Sequence, residues 1–277
     1  MPYKLLFAPL LATVFFQISL SAMLQRGPLS MELVSEQKNV VEGQEFWLGW
    51  RIVREKGWHT YWKHPGDVGV APKMEWVLPD GVRAGEFIYA LPQQVRMGKV
   101  RAHGNYGETL FLCRFESSVP LEPGKLMEIS GKASWLTCSS RCLPGFADLS
   151  IKIPVAEKVE YDPLWRPRFE AFRESIPSDA PLSWKFKAKT TGEKIDLLLP
   201  ASFKESDGYP YFFAHGRLIR SHATQILRKG KDGWILSLKR SNWGTGKETE
   251  LSGLLYRKEG WGKVALGSYL QIRVPLQ

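Results

Sequence analysis

Thr109-Leu110-Phe111-Leu112-Cys113-Arg114-Phe115-Glu116-Ser117 places Phe111, Cys113 and Phe115 on one face of an extended chain, because successive strand side chains point to opposite sides. The same rhythm recurs in Met31–Ser35, Glu45–Val53, Lys73–Leu78, Leu126–Ala133 and Asp148–Ile153. Turn chemistry separates these runs: Val41-Glu42-Gly43-Gln44, Leu78-Pro79-Asp80-Gly81 and Leu121-Glu122-Pro123-Gly124. Short strands at this spacing, with no convincing helix among them, predict a β-sandwich. Composition agrees: 11 Trp, 9 Tyr and 14 Phe with 25 Gly and 18 Pro favour strands and turns.

A second all-β set follows. Ser183–Ala188, Lys194–Leu199, Tyr211–Ala214, Gln225–Arg228, Trp234–Leu238, Glu248–Tyr256 and Ser268–Pro275 alternate again, with hairpin loops at Lys231-Asp232-Gly233 and Lys258-Glu259-Gly260. Between the two sets, Tyr161–Ser178 breaks the rhythm with Pro163, Pro167 and Pro177, and its Leu164-Trp165…Phe169…Phe172 spacing allows one short helix. The expected organisation is therefore all-β: a first sandwich over 31–157, a linker over 158–180 and a second sandwich over 181–277. A chain of 277 residues with 44% hydrophobic residues is long enough for two such cores.

The N-terminus reads as a cleaved export signal over residues 1–22. Lys4 precedes an apolar stretch from Leu5 to Leu20, and Ser19, Ser21 and Ala22 supply the small residues of a cleavage site. The alternative is an uncleaved N-terminal anchor. Either way the expected location is periplasmic or otherwise exported, where a disulfide persists. The formal charge of +10 is dispersed, its densest group being Arg228, Lys229 and Lys231. Such a surface can meet anionic membranes or acidic partners; no nucleic-acid motif accompanies it.

Cys113 reads as a buried free thiol. Cys138 and Cys142 differ. Residues four apart in a strand lie about 13 Å from each other, beyond disulfide reach, so pairing them requires a sharp turn. Ser139-Ser140 suits that turn, and Pro144-Gly145 reads as the end of the excursion. A bridge closing so small a loop is a weak staple, so redox exchange is the leading reading, with Arg141 placed to favour a thiolate. Two alternatives stay open: a plain structural disulfide in an interaction module, and a metal site drawing on His59, His64 or His103. Gly-x-Ser-x-Gly, His-Glu-x-x-His and glycine-rich phosphate loops are absent from the sequence.

Further residues sharpen the first reading. Gly57-Trp58-His59-Thr60-Tyr61-Trp62-Lys63-His64-Pro65-Gly66-Asp67-Val68-Gly69 resembles a signature of the N-terminal periplasmic region of DsbD/ScsB-type thiol:disulfide interchange proteins. Glu75-Trp76-Val77-Leu78-Pro79-Asp80-Gly81-Val82, Asn105-Tyr106-Gly107 and Trp135-Leu136-x-Cys138-x3-Cys142-Leu143-Pro144-Gly145 follow in the family's order. On weaker grounds, Tyr211-Phe212-Phe213 and Leu251-Ser252-Gly253-Leu254-Leu255 resemble the β domain that follows in ScsB-type proteins.

The resemblance implies an immunoglobulin-like first sandwich with Cys138 and Cys142 as a redox pair; the leading mechanism is exchange with no cofactor and no metal. It implies a cap loop at Leu91–Tyr106, with Tyr106 as a shield and Trp58, His59 and Tyr61 lining the site. Implied partners are thioredoxin-like or membrane thiol:disulfide interchange proteins on one side and periplasmic clients on the other. The sequence to Gln277 holds neither the membrane electron channel nor the thioredoxin-like domain of full-length members. The expectation is that separate proteins supply them, or that the module has become a binding or scavenging protein.

Overall fold

The structure, a computed structural model, describes residues 23–204, 206, 208–244, 248–261 and 267–277. The export signal expected over residues 1–22 lies outside them. The first half runs through β1 (Leu24–Arg26), β2 (Leu29–Ser35), β3 (Phe46–Arg54), β4 (His59–Tyr61), β5 (Lys73–Val77), β6 (Val82–Ile88), β7 (Gln93–Met97), β8 (Val100–Tyr106), β9 (Glu108–Ser117), β10 (Leu126–Cys138) and β11 (Cys142–Pro154). One sheet has the order β1-β2-β3-β9-β6; the other has β11-β10-β4-β8-β7, with β5 also on β10.

The alternation read from Phe111, Cys113 and Phe115 is the inner face of the first sheet. These residues register against Trp50, Leu48 and Phe46 of β3, and all six are buried. Trp50 touches Phe87, Phe111 and, across the sandwich, Trp135 of β10. Burial of each such side chain contributes roughly 1.5–3 kcal/mol. Cys113 is a free thiol in this core, and burial pushes its pKa up to about 11.

The β10–β11 hairpin is longer than its sequence announces. The expected strands stopped at Ala133 and resumed at Asp148, yet the ladder runs unbroken from Leu126↔Pro154 to Cys138↔Cys142. Pro144-Gly145 is therefore inside a strand rather than at the end of an excursion. The physical reason lies in parity. The Cα atoms of Cys138 and Cys142 are 4.1 Å apart, as in a pair that exchanges no backbone hydrogen bonds. Pro144, paired with Leu136 two residues on, has the same parity, so its missing N–H takes nothing from the ladder. Gly145 faces Trp135, and a Cβ there would run into the indole ring.

After β11, α1 (Arg166–Ser175) carries proline in its first turn and buries Phe169 against Val34 and Leu112. Arg173 of α1 forms a two-pronged pair with the buried Glu36 carboxylate. The second half contains β12 (Ser178–Asp179), β13 (Lys187–Thr191), β14 (Lys194–Leu198), β15 (Tyr211–Ala214), β16 (Ile226–Gly230), β17 (Gly233–Lys239), β18 (Glu250–Tyr256) and β19 (Tyr269–Pro275). They form sheets β12-β19-β18-β15 and β13-β14-β17-β16 around a core that includes Leu197, Phe212, Leu236, Leu255 and Ile272. One expected strand, Ser183–Ala188, is displaced. Leu182–Trp184 forms a single tight helical turn, Lys185 is left-handed at φ 47°, and extended structure begins at Lys187. Fold class is thus two β-sandwiches, the first immunoglobulin-like.

The two sandwiches meet on Trp62, Phe213 and Leu254, with Tyr89, Leu91, Tyr211, Tyr256 and Tyr269 packed around them.

Candidate functional site

The three residues of β4 (His59–Tyr61) are too few to show a period, yet they position the cysteines. They lie between β8 and the end of β10, with Thr60 opposite Thr137 and His59 opposite both Cys138 and Tyr106. The Thr137 hydroxyl donates to the His59 carbonyl at 2.9 Å, fastening the last turn of the ladder. Cys138 and Cys142 are joined in a disulfide across the hairpin end, with Ser139-Ser140-Arg141 as the loop.

The two sulfurs have different surroundings. Cys138 is 0% exposed, packed with Tyr61, Val95 and Ala102, and Met97, Tyr106 and Leu136 close the cluster. The Tyr61 hydroxyl donates to the Cys138 Sγ at 3.2 Å. Cys142 is exposed, and its Sγ lies 3.4 Å from the Met97 Sδ.

Met97 ends β7, so the segment expected as a cap loop is a β-hairpin, β7–β8, whose tip rests on the disulfide. Tyr106 supports that hairpin. Its hydroxyl accepts the Arg96 N–H at 2.9 Å, and its ring stands edge-on to His59 at 5.6 Å. Met97 was missed in the sequence; its place next to Gly98, between polar residues, was the available signal. Trp58 is half-buried in the turn before β4, donates its N–H to the Glu55 carbonyl, and is not part of the cluster around Cys138.

The imidazole opposite Cys138 on β4 is uncharged. Burial, then the neighbouring Arg54, lowers the His59 pKa to about 4, so its imidazole is neutral near pH 7. Arg54 is itself buried, which lowers its pKa to about 9. Its guanidinium donates to the hydroxyls of Thr60 and Thr109 and to the Gly107 carbonyl. Burial also raises the Tyr61 pKa, so the hydroxyl stays a donor. Among the described residues, no group of three or more His, Cys, Asp or Glu side chains is placed to hold a metal ion.

The remainder of the signature stretch serves the joint. His64 Nδ1 accepts the Gly216 N–H at 3.2 Å, and its ring lies 4.7 Å from that of His215. His103 donates from Nδ1 to the His64 carbonyl, which leaves Nε2 to accept from the Tyr211 hydroxyl at 3.1 Å. Asp67 meets His222 at 2.6 Å and also contacts Ser221. Gly66, at φ 92°, leaves room for Ser221, whose side chain a Cβ would strike.

An immunoglobulin-like sandwich closing a half-shielded disulfide at the end of a long hairpin defines a class of thiol–disulfide domain. Residues 30–153 match the family model described as thiol:disulfide interchange protein DsbD, N-terminal. The first sandwich is a DsbD/ScsB-type N-terminal domain. The N-terminal periplasmic domain of ScsB from Proteus mirabilis is similar in fold over both sandwiches. Its TM-score is 0.66 at 14% identity, covering 92% of this chain and 97% of its own. The YadV chaperone (TM-score 0.24, 9% identity, 87% of this chain and 100% of its own) and the E. coli chaperone DraB (0.23, 7%, 88% and 97%) are too distant in shape to carry an argument. No curated protein matches the chain. Family membership implies thiol–disulfide redox partners in general.

Proposed function

We propose that Cys138 and Cys142 exchange a disulfide with other proteins in the periplasm. They would pass electrons between a thioredoxin-like or membrane donor and envelope clients. The observation that carries this reading is the asymmetry of the two sulfurs: Cys142 is exposed and Cys138 is wholly buried. A donor thiolate attacks the Cys142 Sγ, the Cys138–Cys142 bond breaks, and the electron pair leaves on the Cys138 Sγ, beside the Tyr61 hydroxyl. A second donor thiol resolves the mixed disulfide. Two electrons and two protons then reside on the pair, and the donor leaves oxidised. Delivery to a client reverses the sequence, with Cys142 attacking and Cys138 resolving. No cofactor enters either direction.

The signal expected over residues 1–22 supports a periplasmic setting, as does the likeness in fold to the periplasmic ScsB domain. Among the described residues, no helix is long and apolar enough to cross a membrane.

Trapping tests the proposal. Cys138→Ser should accumulate mixed disulfides through Cys142 when cell extracts are resolved without reductant, and Cys142→Ser should accumulate far fewer. If neither variant captures a partner, exchange is not the activity. The couple itself should titrate at about −200 to −250 mV. A potential below about −300 mV would make the bridge a fixed staple of an interaction module.

A further inference from the structure

The apolar shielding around the disulfide is incomplete on one side. Register pairs alternate between the faces of a sheet, so Cys138/Cys142, Leu136/Pro144 and Ser134/Phe146 share the outer face of the β10–β11 hairpin. Cys138 is buried there by the β7–β8 hairpin, but the strip that leaves Cys142 in the other direction is open. Pro144 is exposed, and Phe146 is 74% exposed. An aromatic ring on a sheet's solvent face, two pairs from a reactive bond, marks a contact surface rather than a core. The strip continues into a groove of about 420 Å³ between Phe146 and Lys132.

On the two hairpins that frame this strip, the charges have one sign at the cysteine end. Arg141 precedes Cys142, and Arg96 and Lys99 flank the tip of the hairpin that carries Met97; all three are exposed. Neither 91–106 nor 136–147 contains an Asp or Glu. Along the β10–β11 hairpin the first carboxylate beyond Phe146 is Asp148, which with Glu75 balances Lys132 and Arg26 along the groove.

We infer that Leu136, Pro144 and Phe146 form the docking strip for a redox partner protein whose reactive cysteine sits in an apolar surface rimmed by carboxylates. This rests on the exchange reading above, because the strip has a purpose only if a partner must reach Cys142. Phe146 supplies the apolar anchor, and Arg96, Lys99 and Arg141 supply orientation and encounter rate, the usual division between buried and rim contacts.

Two dithiol peptides with the same apolar residues around their cysteines, one flanked by Glu and the other by Lys, test this on the oxidised full chain. Dithiothreitol serves as the reference reductant. In each reaction the peptide dithiol becomes a disulfide, and two electrons and two protons pass to Cys138 and Cys142. The acidic peptide should reduce the protein about tenfold faster than the basic one at low salt, with the gap closing as ionic strength rises. Arg141→Glu combined with Arg96→Glu should bring that ratio to one or below. Comparing one peptide pair on two proteins cancels the peptides' own reactivity.

Phe146→Ser should lower the acidic peptide's rate several-fold relative to dithiothreitol, and Phe146→Leu should restore it. A peptide ratio unmoved by the charge reversals, or a relative rate unmoved by Phe146→Ser, overturns the docking strip. If dithiothreitol itself leaves the wild-type disulfide intact, the exchange reading fails first and takes the strip with it.

Discussion

The disulfide pocket and the joint between the sandwiches are built from adjacent parts of one stretch, yet they are opposite in character. The pocket uses His59 and Tyr61 to wrap a single sulfur in a few apolar side chains, with one hydrogen bond to it. The joint uses Trp62, His64, Gly66 and Asp67 to make a broad, polar, aromatic contact with a separate sandwich. The bond proposed to open has few fastenings; the contact between the sandwiches has many.

The β7–β8 hairpin belongs to both regions. Its tip carries Met97 to Cys142. The second sandwich holds its base through the Tyr269 hydroxyl on the Pro92 carbonyl at 2.6 Å, and holds β8 beside the tip through the Ser221 hydroxyl on the Arg101 carbonyl at 3.3 Å.

The largest effect of a single substitution should come from emptying the joint. Trp62→Ala removes a buried aromatic and should cost about 3–5 kcal/mol in urea unfolding. The redox potential, set in the pocket, should move little by comparison. A large shift in potential would dissolve the distinction between the two regions.

Acid should act next. His64, His103 and His215 at the joint, like His59 in the pocket, have pKa values lowered to about 4, chiefly by burial. Lys63 further disfavours charge on His64 and His215, as does Arg273 on His215, whereas Asp67 pulls the other way at His103. The unfolded chain takes up these protons near pH 6.5 and the folded one only near 4. Stability should therefore be full above pH 6.5, fall as pH drops from 6.5 to 4, and level off below for these groups. Urea midpoints at pH 7, 5 and 4 measure the slope. His215→Gln should remove part of the joint's share, and His59→Gln the pocket's.

Reduction itself should cost less, about 2 kcal/mol from the loop-closure entropy of so short a loop. Chemical unfolding of the oxidised and reduced forms measures the difference, and a collapse of the fold on reduction would contradict it. The smallest effect tests the hairpin that joins the two regions. Tyr269→Phe removes one hydrogen bond, worth about 1 kcal/mol. By loosening the cap it should speed reduction by dithiothreitol up to about fivefold. An unchanged rate would mean that the Tyr269 bond plays no part in holding the tip.

The strands of both sandwiches were legible because burial on one face leaves a period of two, as at Phe111, Cys113 and Phe115. The hairpin beyond Ala133 was not, since Pro144 and Gly145 carry the chemistry of a turn until their parity and the Trp135 ring are known. The cap hairpin escaped for another reason. Its inner side carries Val95, Met97, Ala102 and Tyr106, interrupted by Gly98, Lys99 and Gly104, too sparse a run for a pattern. The cysteines and their neighbours His59, Tyr61 and Tyr106 were named from motifs, but Met97 and the meeting of His64 with His215 depend on distant segments that no local spacing reveals.

The long ladder has one more consequence. When the terminal bond opens, the register from Thr137↔Leu143 back to Leu126↔Pro154 has no reason to change. The two oxidation states should then share nearly one shape, and nothing far from the hairpin tip would report which state the molecule is in. Under the proposed exchange such a protein would be a courier of electrons rather than a sensor, its state legible to another protein only by touching the sulfur.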